Sequence, residues 1–226
     1  MTSEEETLFV DMDARASSLR DLLPGRFIVL DGPDGCGKST QMSRMKAFCL
    51  RFGIEMEHVR EPGGTTIGEQ VREILLDAGN DRMVVRTEML LYMASRSQLI
   101  AERIQPALNA NRFVLADRFI SSTLAYQGTG GGLSPEEIMT VGEVTTAETK
   151  PDLVVILDVD TDIASTRISG ELDRMERKGR AFHERVRAGY LDQIEREPDR
   201  YLRIDAGQGP DEVFNDLLQG LIERLS

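Results

Sequence analysis

From Arg26 onward, short apolar runs alternate with longer stretches in which apolar residues recur every three or four positions. The short runs, at residues 27–30, 57–59, 113–116, 154–157 and 201–204, have the length and continuity of strands buried on both faces. The longer stretches predict helices over 38–52, 67–76, 86–109, 135–150, 182–195 and 210–225. Pro210, with Asp211 and Glu212 in the first turn, marks the start of the last one. Strands separated by helices imply an α/β fold: a five-stranded parallel sheet flanked by helices and joined by right-handed crossovers. Residues 1–25 are polar and acidic and end in Leu22-Leu23-Pro24-Gly25. They read as an arm outside the core with a short helix around 14–23, leaving 26–226 as a single domain.

In such a sheet, ligands gather beyond the carboxyl ends of the strands. After the first strand comes Gly32-Pro33-Asp34-Gly35-Cys36-Gly37-Lys38-Ser39, then Thr40. Its glycines let the backbone curl around a phosphate with N–H groups pointing inward at a helix start. Lys38 is expected to reach the β- and γ-phosphates of a nucleoside triphosphate, and the Ser39 hydroxyl to ligate magnesium. Asp34 is a carboxylate inside an anion-binding loop, which suits a solvated turn or an acceptor for a sugar hydroxyl on a second substrate. After the second strand, Arg60 precedes Glu61-Pro62-Gly63-Gly64-Thr65 and presents a bidentate donor. After the third come Asp117, placed to hold magnesium through water, and Arg118, placed to clamp a phosphate. Tyr92 and Arg96 are four apart on a helix and share a face suited to reading a flat base.

Composition narrows the partners. The chain of 226 residues carries a net charge of −12, with 40% apolar and 29% charged residues. That balance argues against a general nucleic-acid or anionic-membrane binder, while leaving room for a local cationic pocket. Cys36 and Cys49 lack metal-site spacing and read as reduced thiols. Glu4, Glu5 and Glu6 stand where a secretory signal needs positive charge, and no apolar run reaches membrane-spanning length, so the expectation is a cytoplasmic protein.

Taken together, the phosphate loop, the segment 60–65, and Asp117-Arg118-Phe119 through Ser122 to Ala125-Tyr126-Gln127-Gly128 resemble thymidylate kinase, a P-loop nucleoside monophosphate kinase, from about residue 26 to the C-terminus. The resemblance implies transfer of the γ-phosphoryl group of ATP to dTMP with Mg²⁺, in a homodimer. It implies that Arg60 and Arg118 bind the dTMP phosphate, Tyr92 stacks on thymine and Arg96 bonds its edge. It also puts Tyr126 beneath the deoxyribose, Asp34 at the 3′-hydroxyl, and Ser122 and Gln127 along the base pocket. Residues 167–187 look like the family's lid, with Gly170-Glu171-Leu172-Asp173-Arg174 similar to that of bacterial-type enzymes. The eukaryotic type carries an arginine in the loop where this chain has Gly35, so Arg167 and Arg174 become the expected transition-state cations. Two rivals remain: a kinase for another monophosphate or a deoxynucleoside, and a regulatory ATPase. The latter has no use for the Tyr92/Arg96 face or the set Arg60, Arg118 and Tyr126.

Overall fold

In the computed structural model, which describes residues 3–168 and 172–226 with side chains from Met12 onward, the chain begins with α1 (Ser3–Leu22), β1 (Phe27–Asp31), α2 (Lys38–Phe52), β2 (Met56–Arg60) and α3 (Thr66–Leu76). Next come α4 (Val85–Leu99), a π-helical stretch (Ile100–Ile104), α5 (Gln105–Asn109), β3 (Phe113–Asp117), α6 (Ile120–Thr123) and a second π-helical stretch (Leu124–Gly130). The remainder is α7 (Pro135–Thr146), β4 (Leu153–Asp158), α8 (Thr161–Arg167), a 3₁₀ turn (Glu176–Lys178), α9 (Arg180–Arg196), β5 (Tyr201–Asp205) and α10 (Pro210–Leu225).

All five expected strands pair in one parallel sheet in the order β2-β3-β1-β4-β5. Strand composition accounts for that order. Every residue of β1 and β4 is buried, as central strands covered on both faces require. The edge strands β2 and β5 mix exposed His58 and Arg203 with buried Val59 and Ile204. Alternation along β1 sends Ile28 and Leu30 into one core layer with α2 and α10, and Phe27 and Val29 into the other with Ile104, Val186 and Tyr190.

Two helices depart from the periodicity reading. The helix expected over 86–109 is split by the first π-helical stretch just before Pro106, which has no N–H to offer the carbonyl four residues back. The one expected over 135–150 stops at Thr146, where Ala147 takes a φ of 50° that a right-handed helix cannot continue.

The N-terminal segment, expected as an arm outside the core, is instead an integral helix. Ala16, Leu19 and Leu23, three and four positions apart, are buried in the same cluster as Leu217, Leu218 and Leu221 of α10. Arg15 donates to the Asn215 carbonyl, and Arg20 donates twice to the Phe52 carbonyl at the end of α2. Leu19 is wholly enclosed, so Leu19→Ala removes packing with little chance of collapse. It should lower the unfolding free energy by about 2–4 kcal/mol in urea titration, with catalytic constants unchanged.

Candidate active site

The phosphate loop leaves β1 at Asp31 and enters α2 at Lys38. Two of its glycines are compelled by close approach as well as by left-handed backbone. A Cβ on Gly32 (φ 142°) would lie 2.5 Å from the Leu157 carbonyl oxygen, and one on Gly35 (φ 77°) would lie 2.3 Å from that of Ala164. Gly37 precedes α2 without any side-chain cap, so the first-turn amides remain available to an anion. Lys38 is buried and folds back over the loop, donating to the carbonyls of Gly32 (2.9 Å) and Pro33 (3.0 Å), which a bound phosphate would replace.

Opposite the loop, Arg118 lies at the centre of a partly buried cluster. Its Nη2 donates to Asp34, its Nη1 donates to Ser122 Oγ at 3.0 Å, and its guanidinium lies over the Tyr126 ring at 5.0 Å. Asp31, with 0% of its surface exposed, accepts from the hydroxyls of Ser121 (2.6 Å), Ser122 (2.7 Å) and Tyr190 (2.7 Å) and pairs with Arg118 at 3.5 Å. Tyr126 donates to the second oxygen of Asp34 at 2.8 Å. Burial alone would raise the Asp34 carboxyl, but Arg118 and Lys38 beside it, aided by Tyr126, hold it below the usual carboxylate range. Burial pushes the Tyr126 and Tyr190 hydroxyls well above their ordinary values, so both stay neutral donors. Arg118 itself sits at φ 72°, a backbone state costing about 1–3 kcal/mol for a non-glycine residue.

Of these groups, Asp34, Lys38, Arg118, Ser122 and Tyr126 line one cleft of about 660 Å³, together with Ser39, Thr40, Arg60, Tyr92, Asp117, Gln127 and Arg167. Of the residues singled out in the sequence, most therefore meet as expected. Arg96 does not face the cleft. It is 1% exposed, donates to both oxygens of Glu61 at 2.6–3.0 Å and to Thr123 Oγ1, and lies over the Phe119 ring. The cleft is lined instead by its partners Glu61 and Thr123. Burial pushes the Glu61 carboxyl up to about 7 against the pull of Arg96. Arg60 is held by Glu69, whose two oxygens accept from Nη2 at 2.8–2.9 Å, and by the Pro62 carbonyl. Arg72, from α3, donates to that same carbonyl and lines the cleft.

The two expected lid cations separate. Arg167 lines the cleft and donates to the carbonyl of Ala206, just beyond β5. Arg174 is buried away from it, donating to the Leu75 carbonyl at 2.7 Å and pairing with Glu88 at 2.6 Å. Gly170 and Glu171 lie outside the described residues. Beyond them, Arg185 donates to the Gly130 carbonyl and Arg187 pairs with Asp158, which makes these later cations structural.

Sequence reasoning missed Asp31, Glu61, Arg72, Glu88 and Tyr190. The strand-end rule that found Asp117 applies equally to Asp31, the last residue of β1. Nothing local flags Tyr190, which reaches the site only because α9 packs across the second π-helical stretch.

A family profile described as thymidylate kinase matches residues 30–217. The chain is 42% identical over 205 residues to the thymidylate kinase of Exiguobacterium sp., spanning 90% of this chain and 97% of the relative. It is 42% identical over 207 residues to that of Pseudomonas putida, spanning 89% and 99%. The crystal structure of thymidylate kinase from Ehrlichia chaffeensis superposes with a TM-score of 0.73 at 29% identity, covering 88% of this chain and 98% of that one.

Because Asp31 is fully enclosed and shares its oxygens among several donors, Asp31→Ala strands those groups without an acceptor. The expected loss is about 3–5 kcal/mol of unfolding free energy, read from urea denaturation. A loss under about 1 kcal/mol would mean the cluster holds without its carboxylate.

Proposed function

We infer the workings of this cleft from one premise: the chain belongs to the thymidylate kinase family. It transfers the γ-phosphoryl group of ATP to dTMP, giving dTDP and ADP. One observation carries our assignment of the two half-sites: the phosphate loop and the cluster around Arg118 open onto the same cleft, so donor and acceptor phosphates meet there.

On the donor side, amides of the phosphate loop and of the first turn of α2, together with Lys38, cradle the triphosphate, with Lys38 released from the loop carbonyls to reach its terminal phosphates. On the acceptor side, Arg118, Arg60 and Arg72 bind the dTMP phosphate, Tyr92 stacks on thymine, and Tyr126 lies beneath the sugar, where it crowds a 2′-hydroxyl. Asp34 accepts from the 3′-hydroxyl by exchanging one of its present donors, and Ser122 and Gln127 line the pocket. Arg96 reaches the base edge only indirectly, by holding Glu61 and Thr123. The acceptor phosphate is already an anion and needs no general base, so catalysis consists of alignment and charge compensation.

Ser39 and Asp117, which both line the cleft, are the residues that would hold Mg²⁺. Asp117 lines the cleft, and its Oδ1 is buried without a hydrogen-bond partner, an arrangement that a cation relieves. Among the described residues no cluster of three or more His, Cys, Asp or Glu could hold a metal alone, so phosphate oxygens and water would have to complete the shell. When bound, the ion neutralises charge on the β- and γ-phosphates. Of the two lid cations, Arg167 is the one we assign to the transferring phosphoryl group, since Arg174 is committed to Glu88.

We read residues 26–226 as one kinase domain with its lid at about 167–187, and α1 as a brace upon it. A homodimer is supported by the family likeness and by Ile67 and Ile74, seven apart on α3 and half exposed. A cytoplasmic setting rests on the family likeness; no described helix is long and apolar enough to cross a membrane.

The test is ADP formation with each nucleoside monophosphate in turn. Turnover should favour dTMP, and Arg118→Ala should lower kcat by about 10³-fold or more while raising the KM for dTMP. Near-parental kinetics in that variant would remove Arg118 from the reaction. Phosphate release without an acceptor would instead favour a regulatory ATPase.

A further inference from the structure

Gln127 is 1% exposed, yet it lines the cleft. Its Nε2 donates to Glu88 Oε1 at 2.7 Å, and no described residue donates to its Oε1. Glu88 is 0% exposed and faces two cations: Arg174 at 2.6 Å, and Lys178 at 3.1 and 3.2 Å. A carboxylate paired in this way offers lone pairs only, whereas a primary amide has one donor end and one acceptor end. Glu88 therefore dictates which way the amide points. Its nitrogen end is turned to the carboxylate, which takes one of the two N–H groups, and its carbonyl is left to serve the cleft.

We propose that Glu88 is a positioning residue for base selection: acting through Gln127, it presents an acceptor to the pyrimidine ring. Thymine and uracil carry a hydrogen on N3 and satisfy that acceptor. Cytosine carries a lone pair on N3 and leaves two acceptors opposed, an arrangement strongly rejected when no water can intervene. The inference rests on Gln127 lining the base pocket, as assigned above. It adds a connection to the lid, because the cations that pair with Glu88 come from the segment just after Leu172. Seating that segment and setting the polarity of the base reader become one event.

The test uses the full chain and compares kcat/KM for dTMP and dCMP in Glu88→Gln. An amide at 88 can donate or accept, so Gln127 is free to flip. The dTMP-to-dCMP ratio should fall by about 10-fold or more. If both substrates lose by the same factor and the ratio stays within about twofold of the parent, Glu88 is only structural and the proposal is overturned. Should the single variant fail to fold, Glu88→Gln with Arg174→Met removes the buried cation along with its partner, and the same two outcomes apply. Gln127→Met, measured in parallel, separates the layers of the argument. A fall in its kcat/KM for dTMP alongside an unchanged ratio in Glu88→Gln sinks the Glu88 proposal alone. Unchanged activity of Gln127→Met toward dTMP sinks the base-pocket assignment and the proposal with it.

Discussion

Asp31, at the tip of the central strand and closed off from solvent, accepts from three hydroxyls and lies 3.5 Å from the Arg118 guanidinium. The donors come from α6 and α9, so one carboxylate joins the sheet to two helical elements of the opposite layer. A buried anion is costly unless its lone pairs are filled. Asp31 forces Ser121, Ser122, Tyr190 and Arg118 to converge, and their convergence shapes the cleft wall. The strained backbone of Arg118 belongs to the same account. A left-handed arginine persists only where its surroundings over-determine it, and here Asp31, Asp34, Ser122 and Tyr126 all hold its side chain.

The cations of the cleft are thus neutralised internally. Arg118 is satisfied by Asp34, Arg60 by Glu69, and Lys38 by its own loop carbonyls. Each contact stands where a substrate group is expected, so binding two anionic nucleotides exchanges internal partners for external ones instead of introducing unpaired charge. Such exchange keeps an acidic chain from holding bare cations in a partly buried site, at some cost in affinity.

How much of this was legible in the sequence follows the range of the interactions involved. The strands and the phosphate loop are local, and continuous apolar runs or glycine spacing disclosed them. What escaped depends on distant partners. Arg96 reads as a cleft residue from its spacing to Tyr92, but Glu61, 35 positions away, draws it inside. Arg174 reads as a lid cation, yet Glu88 on α4 claims it across the fold. Tyr126 and Gln127 were legible only through the family resemblance, since the wider turn of the π-helical stretch that carries them is reported by no period-3.6 pattern. The acidic leader of α1 masked the Ala16, Leu19 and Leu23 stripe that docks it against α10.

Gly35 has a further meaning once its neighbours are known. Its position within contact of the Ala164 carbonyl on α8, together with its left-handed backbone, bars any side chain there. An arginine in the loop is therefore not one substitution away from this chain. Helix α8 would have to retreat first, and in retreating it would carry Arg167 with it. The closeness of loop and helix thus couples the residue allowed at 35 to the placement of α8 by sterics alone.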